Sequence, residues 1–214
     1  MAGYSLNELE ATTKRAVRGA GYHWGHAEEA GKTVRWLAEQ GLPGASILAK
    51  HLQRRQANIK QCPIGASSDL VIQGDLCPLI TGAFLSDRAS LIAKGGTAEL
   101  KGIAYPLLLI PHGAAISRLT GQVVECKLDQ MAVHLGASSF AVNGDSREMM
   151  ADRAARLVVR TIGESAMPIA RPRARQALDA ETLSVLGAFA ARTYAPSSEA
   201  SRTGGAGAGA DDQD

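Results

Sequence analysis

Val124-Glu125-Cys126-Lys127-Leu128 alternates apolar and charged residues with a period of two, the pattern of a strand with one face on a core and one in water. Strand signals extend around it from Ala98 to Asn143: the apolar runs Tyr105 to Ile110 and Ala114 to Leu119, a turn at Thr120-Gly121, and Phe140-Ala141-Val142 before the turn pair Asn143-Gly144. Consecutive strands joined by short turns predict an antiparallel sheet. Pro106 and Pro111 belong at an edge or a strand end, because proline cannot donate to a ladder. Upstream, Leu70-Val71-Ile72 reads as a short strand, and the apolar stretch from Leu76 to Ile92 is long enough to be helix.

Helices precede this sheet. Ser5-Leu6-Asn7-Glu8 carries the reciprocal capping box, with Tyr4 and Leu9 spaced as a hydrophobic staple, and Gly19 and Gly21 end that helix near Ala20. A second helix spans Trp24 to Gln40 on Ala27, Ala30, Val34 and Leu37, with Glu28 and Lys32 spaced to pair and Gly41 and Pro43 to stop it. Gly25 and Gly31 inside it predict a close backbone crossing. A third helix runs from Pro43 to Ala57, with Ile47, Leu48 and Leu52 inward and Lys50, Arg54 and Arg55 outward.

Beyond the sheet, Asp145 reads as the cap of a helix with Met150, Ala154, Leu157 and Val158 on one side and Arg147, Arg153, Arg156 and Arg160 on the other. Asp179 caps a last helix, Ala180 to Thr193, that buries Leu183, Leu186 and Phe189. The order predicts an α+β fold: a helical N-terminal layer packed on a mostly antiparallel sheet, with C-terminal helices. Residues 1–195 form one domain in this reading, and 196–214 a flexible acidic tail rich in Gly and Ala.

A formal charge of +2 is far from the excess a nucleic-acid surface requires. No leader precedes an apolar stretch, and no run of about 18 apolar residues could span a bilayer. Cys62, Cys77 and Cys126 are an odd number at wide spacing, which suits reduced thiols and a cytoplasmic setting.

Candidate chemistry clusters in two places. His23, His26, Glu28 and Glu29 offer imidazole and carboxylate groups near one helix start, but not at the spacing of a zinc motif, so no metal is assigned. Trp24 and Arg35 lie in the same stretch as ligand-binding candidates. Arg171-Pro172-Arg173-Ala174-Arg175 sets three guanidinium groups in an extended segment suited to gripping a carboxylate or phosphate. Cys62, before Pro63-Ile64-Gly65, is the thiol in a loop-like setting and the nucleophile candidate; Cys77 and Cys126 read as buried structural thiols. Lys94-Gly95-Gly96-Thr97 lacks the phosphate-loop spacing, and no cofactor follows from any motif.

Tyr4-Ser5-Leu6-Asn7-Glu8, Gly21-Tyr22-His23-Trp24-Gly25, Ala27-Glu28-Glu29-Ala30-Gly31-Lys32 and Leu76-Cys77-Pro78-Leu79 together resemble an uncharacterised bacterial family of about this length. The resemblance implies no activity. The first helix start is also similar to the Ser-Leu-x-Glu-Leu pattern of NAD(P)-dependent malate and lactate type dehydrogenases. Their Asp-Ser-His-Gly signature has no counterpart here, because the corresponding loop reads Gly41-Leu42-Pro43-Gly44-Ala45-Ser46, without histidine.

The reading leans toward a small-molecule metabolic enzyme that binds an anionic ligand, the alternative being a noncatalytic subunit or docking partner of a metabolic enzyme. It allows a small anionic molecule, a protein partner or further copies of the chain, and neither nucleic acid nor membrane. One consequence is local: Ser5→Ala should cost about 1 kcal/mol, and equal melting temperatures for the two proteins would contradict the cap.

Overall fold

The computed structural model describes residues 3–54, 70–137, 139–163 and 172–194. The chain opens with β1 (Gly3–Ser5), whose end caps α1 (Leu6–Gly19). The capping box is present as read: the Glu8 amide donates to Ser5 Oγ at 3.2 Å, and the Ser5 amide donates to Glu8 Oε2 at 2.8 Å. α2 (Trp24–Glu39) lies along α1, and three cross-helix contacts close the seam: Lys14 to Glu28 at 2.8 Å, and Arg35 to Asn7 at 2.6 Å and Glu10 at 3.1 Å. Lys32 therefore pairs with Glu29, at 2.7 Å, rather than with Glu28 as its spacing suggested. Of the two helical glycines, Gly31 marks the close crossing, since a Cβ there would sit 3.2 Å from the Glu10 carbonyl oxygen; Gly25 faces open space. α3 (Gly44–Arg54) turns its Ile47, Leu48 and Leu52 inward as expected.

The main sheet has six strands in the order β2-β3-β7-β4-β5-β6. β2 (Leu70–Leu76) pairs in parallel with β3 (Thr97–Ala104), and α4 (Pro78–Ser86) and α5 (Ala89–Ala93) make the crossover between them. Every other neighbour is antiparallel: β4 (Val123–Leu128), β5 (Met131–Leu135), β6 (Phe140–Asn143) and β7 (Arg153–Ile162), which inserts between β3 and β4. Val124, Cys126 and Leu128 are buried, and Lys127 between the last two is exposed, as the alternation requires. β8 (Arg175–Ala177) pairs antiparallel with β1, tying the two ends of the described chain together before α7 (Ala180–Ala191), capped by Asp179, packs on α1 and α3. The fold is α+β, with helices ahead of a mostly antiparallel sheet.

Two segments differ from their sequence reading, for physical reasons. The runs read as strands from Tyr105 to Ile110 and Ala114 to Leu119 form a short 3₁₀ turn, Pro106–Leu108, and α6 (Ile110–Thr120). This helix lies between the sheet and the outer helices, touching β4 and β5 on one side and α2 and α4 on the other. Covered on both sides, it shows no amphipathic period. Pro106 and Pro111 stand in first helical turns, where a missing N–H costs nothing, and not at strand ends. The helix read after Asp145 is instead a 3₁₀ turn, Glu148–Met150, followed by β7. Burial on β7 passes from Leu157 to Ala154, across from Gly102 (φ 80°) and the irregularity at Gly74, so a three-residue step imitates a helical repeat. Its arginines bridge to other strands: Arg156 to Glu99 on β3 and Arg160 to Glu125 on β4, each at 2.8 Å, and Arg153 across β3 to Asp75 on β2 at 3.1 Å. Asp145 pairs with Arg147.

α6 is locked to its neighbours by His112. Nδ1 lies 3.0 Å from Ser86 Oγ and Nε2 lies 3.4 Å from Thr33 Oγ1. Ser86 Oγ also lies 3.1 Å from the Gly82 carbonyl, and with its proton directed there Nδ1 is the ring donor and Nε2 accepts from Thr33. Complete burial pushes the imidazole down to about 4. Gly82 faces the ring so closely that a Cβ there would be 2.2 Å from Cδ2.

Two outcomes follow from this packing. A Cβ on Gly19 would meet the Phe189 carbonyl at 1.9 Å, a backbone contact, whereas Gly187 in α7 faces nothing within 4 Å. Gly19→Ala should therefore cost about 2 kcal/mol or more, and Gly187→Ala should gain up to about 1 kcal/mol; urea denaturation giving both the same sign would contradict the α1–α7 contact. For His112, the folded imidazole gains its proton near pH 4 and the unfolded one near 6.5. The unfolded chain thus binds the extra proton between those values, so the stability due to the neutral ring is complete above pH 6.5. It is lost as pH falls to 4, by roughly 3 kcal/mol. Denaturation across that window should give a flatter profile for His112→Gln, and parallel profiles would contradict the assignment.

Candidate functional site

At the carboxyl ends of the parallel strands β2 and β3, three side chains capable of proton exchange meet inside the protein. Gly21, with φ 99°, turns the chain between α1 and α2 so that the next residue, Tyr22, points inward while His23 and Trp24 point out. His51 stands on the buried side of α3. Cys77 follows β2 directly and occupies the N-cap of α4, with Pro78 at its first helical position. Tyr22 Oη lies 3.0 Å from His51 Nε2 and 3.3 Å from Cys77 Sγ, and Sγ lies 3.5 Å from the same Nε2. Their exposures are 2%, 0% and 2%.

Tyr105 completes the setting from the end of β3. It holds the left-handed conformation at φ 45°, unusual for a bulky residue, and its amide donates to the Asp152 carbonyl. Its ring stands edge-on to His51, 5.7 Å between centroids, and the Arg54 guanidinium, one turn beyond His51, lies 6.0 Å from the same ring. The arrangement joins a thiol, an imidazole and a phenol at a helix N-terminus, with a cation one ring away.

The residues singled out by sequence are distributed elsewhere. Trp24 is 54% exposed and lies under Lys14 and Arg18, 5.8 and 5.5 Å from its ring centroid. Glu28 joins it through Lys14, whose hydrogen bond holds the carboxyl below its ordinary range. His23 is exposed at the N-cap of α2 without a side-chain cap bond, its ring 6.4 Å from that of His26. Burial and the neighbouring His23 lower the pKa of His26. Among the described residues, no three His, Cys, Asp or Glu side chains gather as a metal site would need.

Arg35 is committed to Asn7, Glu10 and Glu39. Arg173 donates its backbone amide to the Glu39 carbonyl at 2.8 Å and lays its guanidinium against Gly41; Arg175 donates to the Gly3 carbonyl at 2.9 Å from within β8. Cys62, Arg171 and the 196–214 tail lie outside the described residues.

Sequence reasoning passed over His51 and took Cys77 as merely structural. One signal was available: His51 shares the inward stripe of Ile47, Leu48 and Leu52, so a titratable group was bound for the interior. That it meets Cys77 and Tyr22 there depends on three elements converging, which no local pattern encodes.

No helix among the described residues is long and apolar enough to cross a membrane. Comparison with curated proteins finds no match. Among solved structures, the chain is similar to malate dehydrogenase from Entamoeba histolytica, at 11% identity and a TM-score of 0.45, over 66% of this chain. It spans 45% of the length of that protein. Residues 4–77 match the family described as Protein of unknown function (DUF3726), in agreement with the resemblance to an uncharacterised family, and that segment contains Tyr22, His51 and Cys77.

Proposed function

We propose that the protein is an enzyme acting on a small anionic molecule, with Cys77 as its reactive group, His51 as the base that takes the thiol proton, and Tyr22 as the donor that steadies the thiolate. The observation that carries this reading is the mutual contact of the three groups, within 3.5 Å of one another, at the N-terminus of α4. Transfer of the proton from Sγ to Nε2 leaves a thiolate facing an imidazolium and a phenol O–H, both of which stabilise it. A dry setting strengthens each of these interactions. Arg54, 6.0 Å from the centre of the Tyr105 ring, supplies the positive charge that favours an anionic substrate. A reducing compartment such as the cytoplasm keeps Cys77 available as a thiol, and both described cysteines are free.

Cys126 is the internal reference, because burial among apolar strands pushes its thiol up to about 12. Alkylation by iodoacetamide, mapped by peptide mass spectrometry on the folded protein, should modify Cys77 faster than Cys126. His51→Gln should slow the Cys77 reaction at least about tenfold, and Tyr22→Phe by a smaller factor. If Cys77 reacts no faster than Cys126, or if folded His51→Gln reacts at the unchanged rate, the thiol is structural and the reading fails.

A further inference from the structure

A second cleft, separate from the cluster around His51, lies where the end of α2 meets the end of α6 and the β5–β6 hairpin. It has a volume of about 210 Å³, and its lining includes Trp36, Glu39, Gln40, Arg118, Gly136 and Ser139. We propose that this cleft binds a small carboxylate carrying a single flat ring, with Arg118 gripping the carboxylate and Trp36 stacking on the ring.

The charge balance of the cleft carries the argument. Arg118, in the last turn of α6, makes no ion pair or hydrogen bond among the described residues, in contrast to Arg35, Arg147, Arg153, Arg156 and Arg160, each of which holds a carboxylate. The acidic group in the wall, Glu39, is held at 3.2 Å by Arg35, which Glu10 shares at 3.1 Å, so this trio leaves one negative charge against the guanidinium groups beside it. Arg173, with its guanidinium against Gly41 beside Gln40, adds a second cation with no side-chain partner among the described residues. The cleft is therefore net positive. A guanidinium fork matches a carboxylate through two parallel hydrogen bonds.

The shape of the cleft supplies the flat ring. Trp36 is fixed by an edge-on contact with Phe140, with centroids 5.5 Å apart and planes at 86°, so its remaining surface is a preset wall for an aromatic group. Ser139 brings a hydroxyl that makes no hydrogen bond among the described residues, while its carbonyl is taken by the Gly136 amide at 2.9 Å. Ordinary ligand sites occupy roughly 300 to 1,000 Å³, so this smaller volume suits a single ring. Nothing in this site uses Tyr22, His51 or Cys77, so its test is independent of theirs.

The chain has two tryptophans, and Trp24→Phe leaves Trp36 as the sole indole emitter. With folding verified by circular dichroism, benzoate, benzyl alcohol and inorganic phosphate are titrated against that variant. Benzoate should give a saturable change in Trp36 emission, with benzyl alcohol and phosphate each at least about tenfold weaker. Arg118→Gln in the same background should weaken benzoate at least about tenfold, with Arg118→Lys between the two, since an ammonium supplies charge without the fork. The absence of saturation, equal binding of benzyl alcohol or phosphate, or an unchanged benzoate affinity in Arg118→Gln would each overturn the proposal.

Discussion

Burial of α6 on both sides is the constraint on which the other elements depend. A helix without a wet face must be covered by the sheet below and by helices above, and small residues set how near those layers come. Gly113 lets the helix settle on β4 and β5, where a Cβ would lie 2.5 Å from a Leu135 methyl and 3.0 Å from Cys126 Sγ. Gly82 performs the same service for α4 against His112. A polar side chain in such a place is tolerated only when every donor and acceptor is used. The Ser86–His112–Thr33 chain meets that condition with a neutral ring, joining α4, α6 and α2 by hydrogen bonds that also fix their register.

Once α6 and α4 are fixed, the position of the Tyr22–His51–Cys77 cluster follows from connectivity rather than from any one residue. The parallel pair β2 and β3 needs a crossover, and α4 begins it at Cys77. The outer helices, held together by Arg35, Lys14 and Glu28 along the α1–α2 seam, bring Tyr22 and His51 over that point. The two polar clusters of the core thus differ in kind. His112 is engaged at both ring nitrogens by hydroxyl groups that do not ionise, which suits a structural tie. His51 faces a thiol and a phenol, groups that do ionise and exchange protons.

Much of the helical layer was legible in the sequence because its signals are local. The Ser5 capping box, the Asp179 cap and the stripes of the second and third helices depend on residues three or four apart, and the strand around Cys126 on neighbours two apart. The central region was opaque for the opposite reason. α6 is buried along most of its length from Ile110 to Ser117, so its period carries no information, and β7 changes its burial step opposite Gly102, so its arginines mimic a helix while bridging to other strands. The candidate site was less legible still: Tyr22, His51 and Cys77 are separated by 29 and 26 residues along the chain, and only the folding of α3 over the end of β2 brings them into contact.

The central claim is that the imidazole of His51 and the thiol of Cys77 form one proton-sharing unit, and the nitrogen resonances of His51, followed by NMR as pH is varied, test it most directly. Cys77→Ser should shift both the position and the shape of the His51 curve while leaving that of His134, on the opposite face of the sheet, in place. Superimposable His51 curves in the folded wild-type and Cys77→Ser proteins would contradict it.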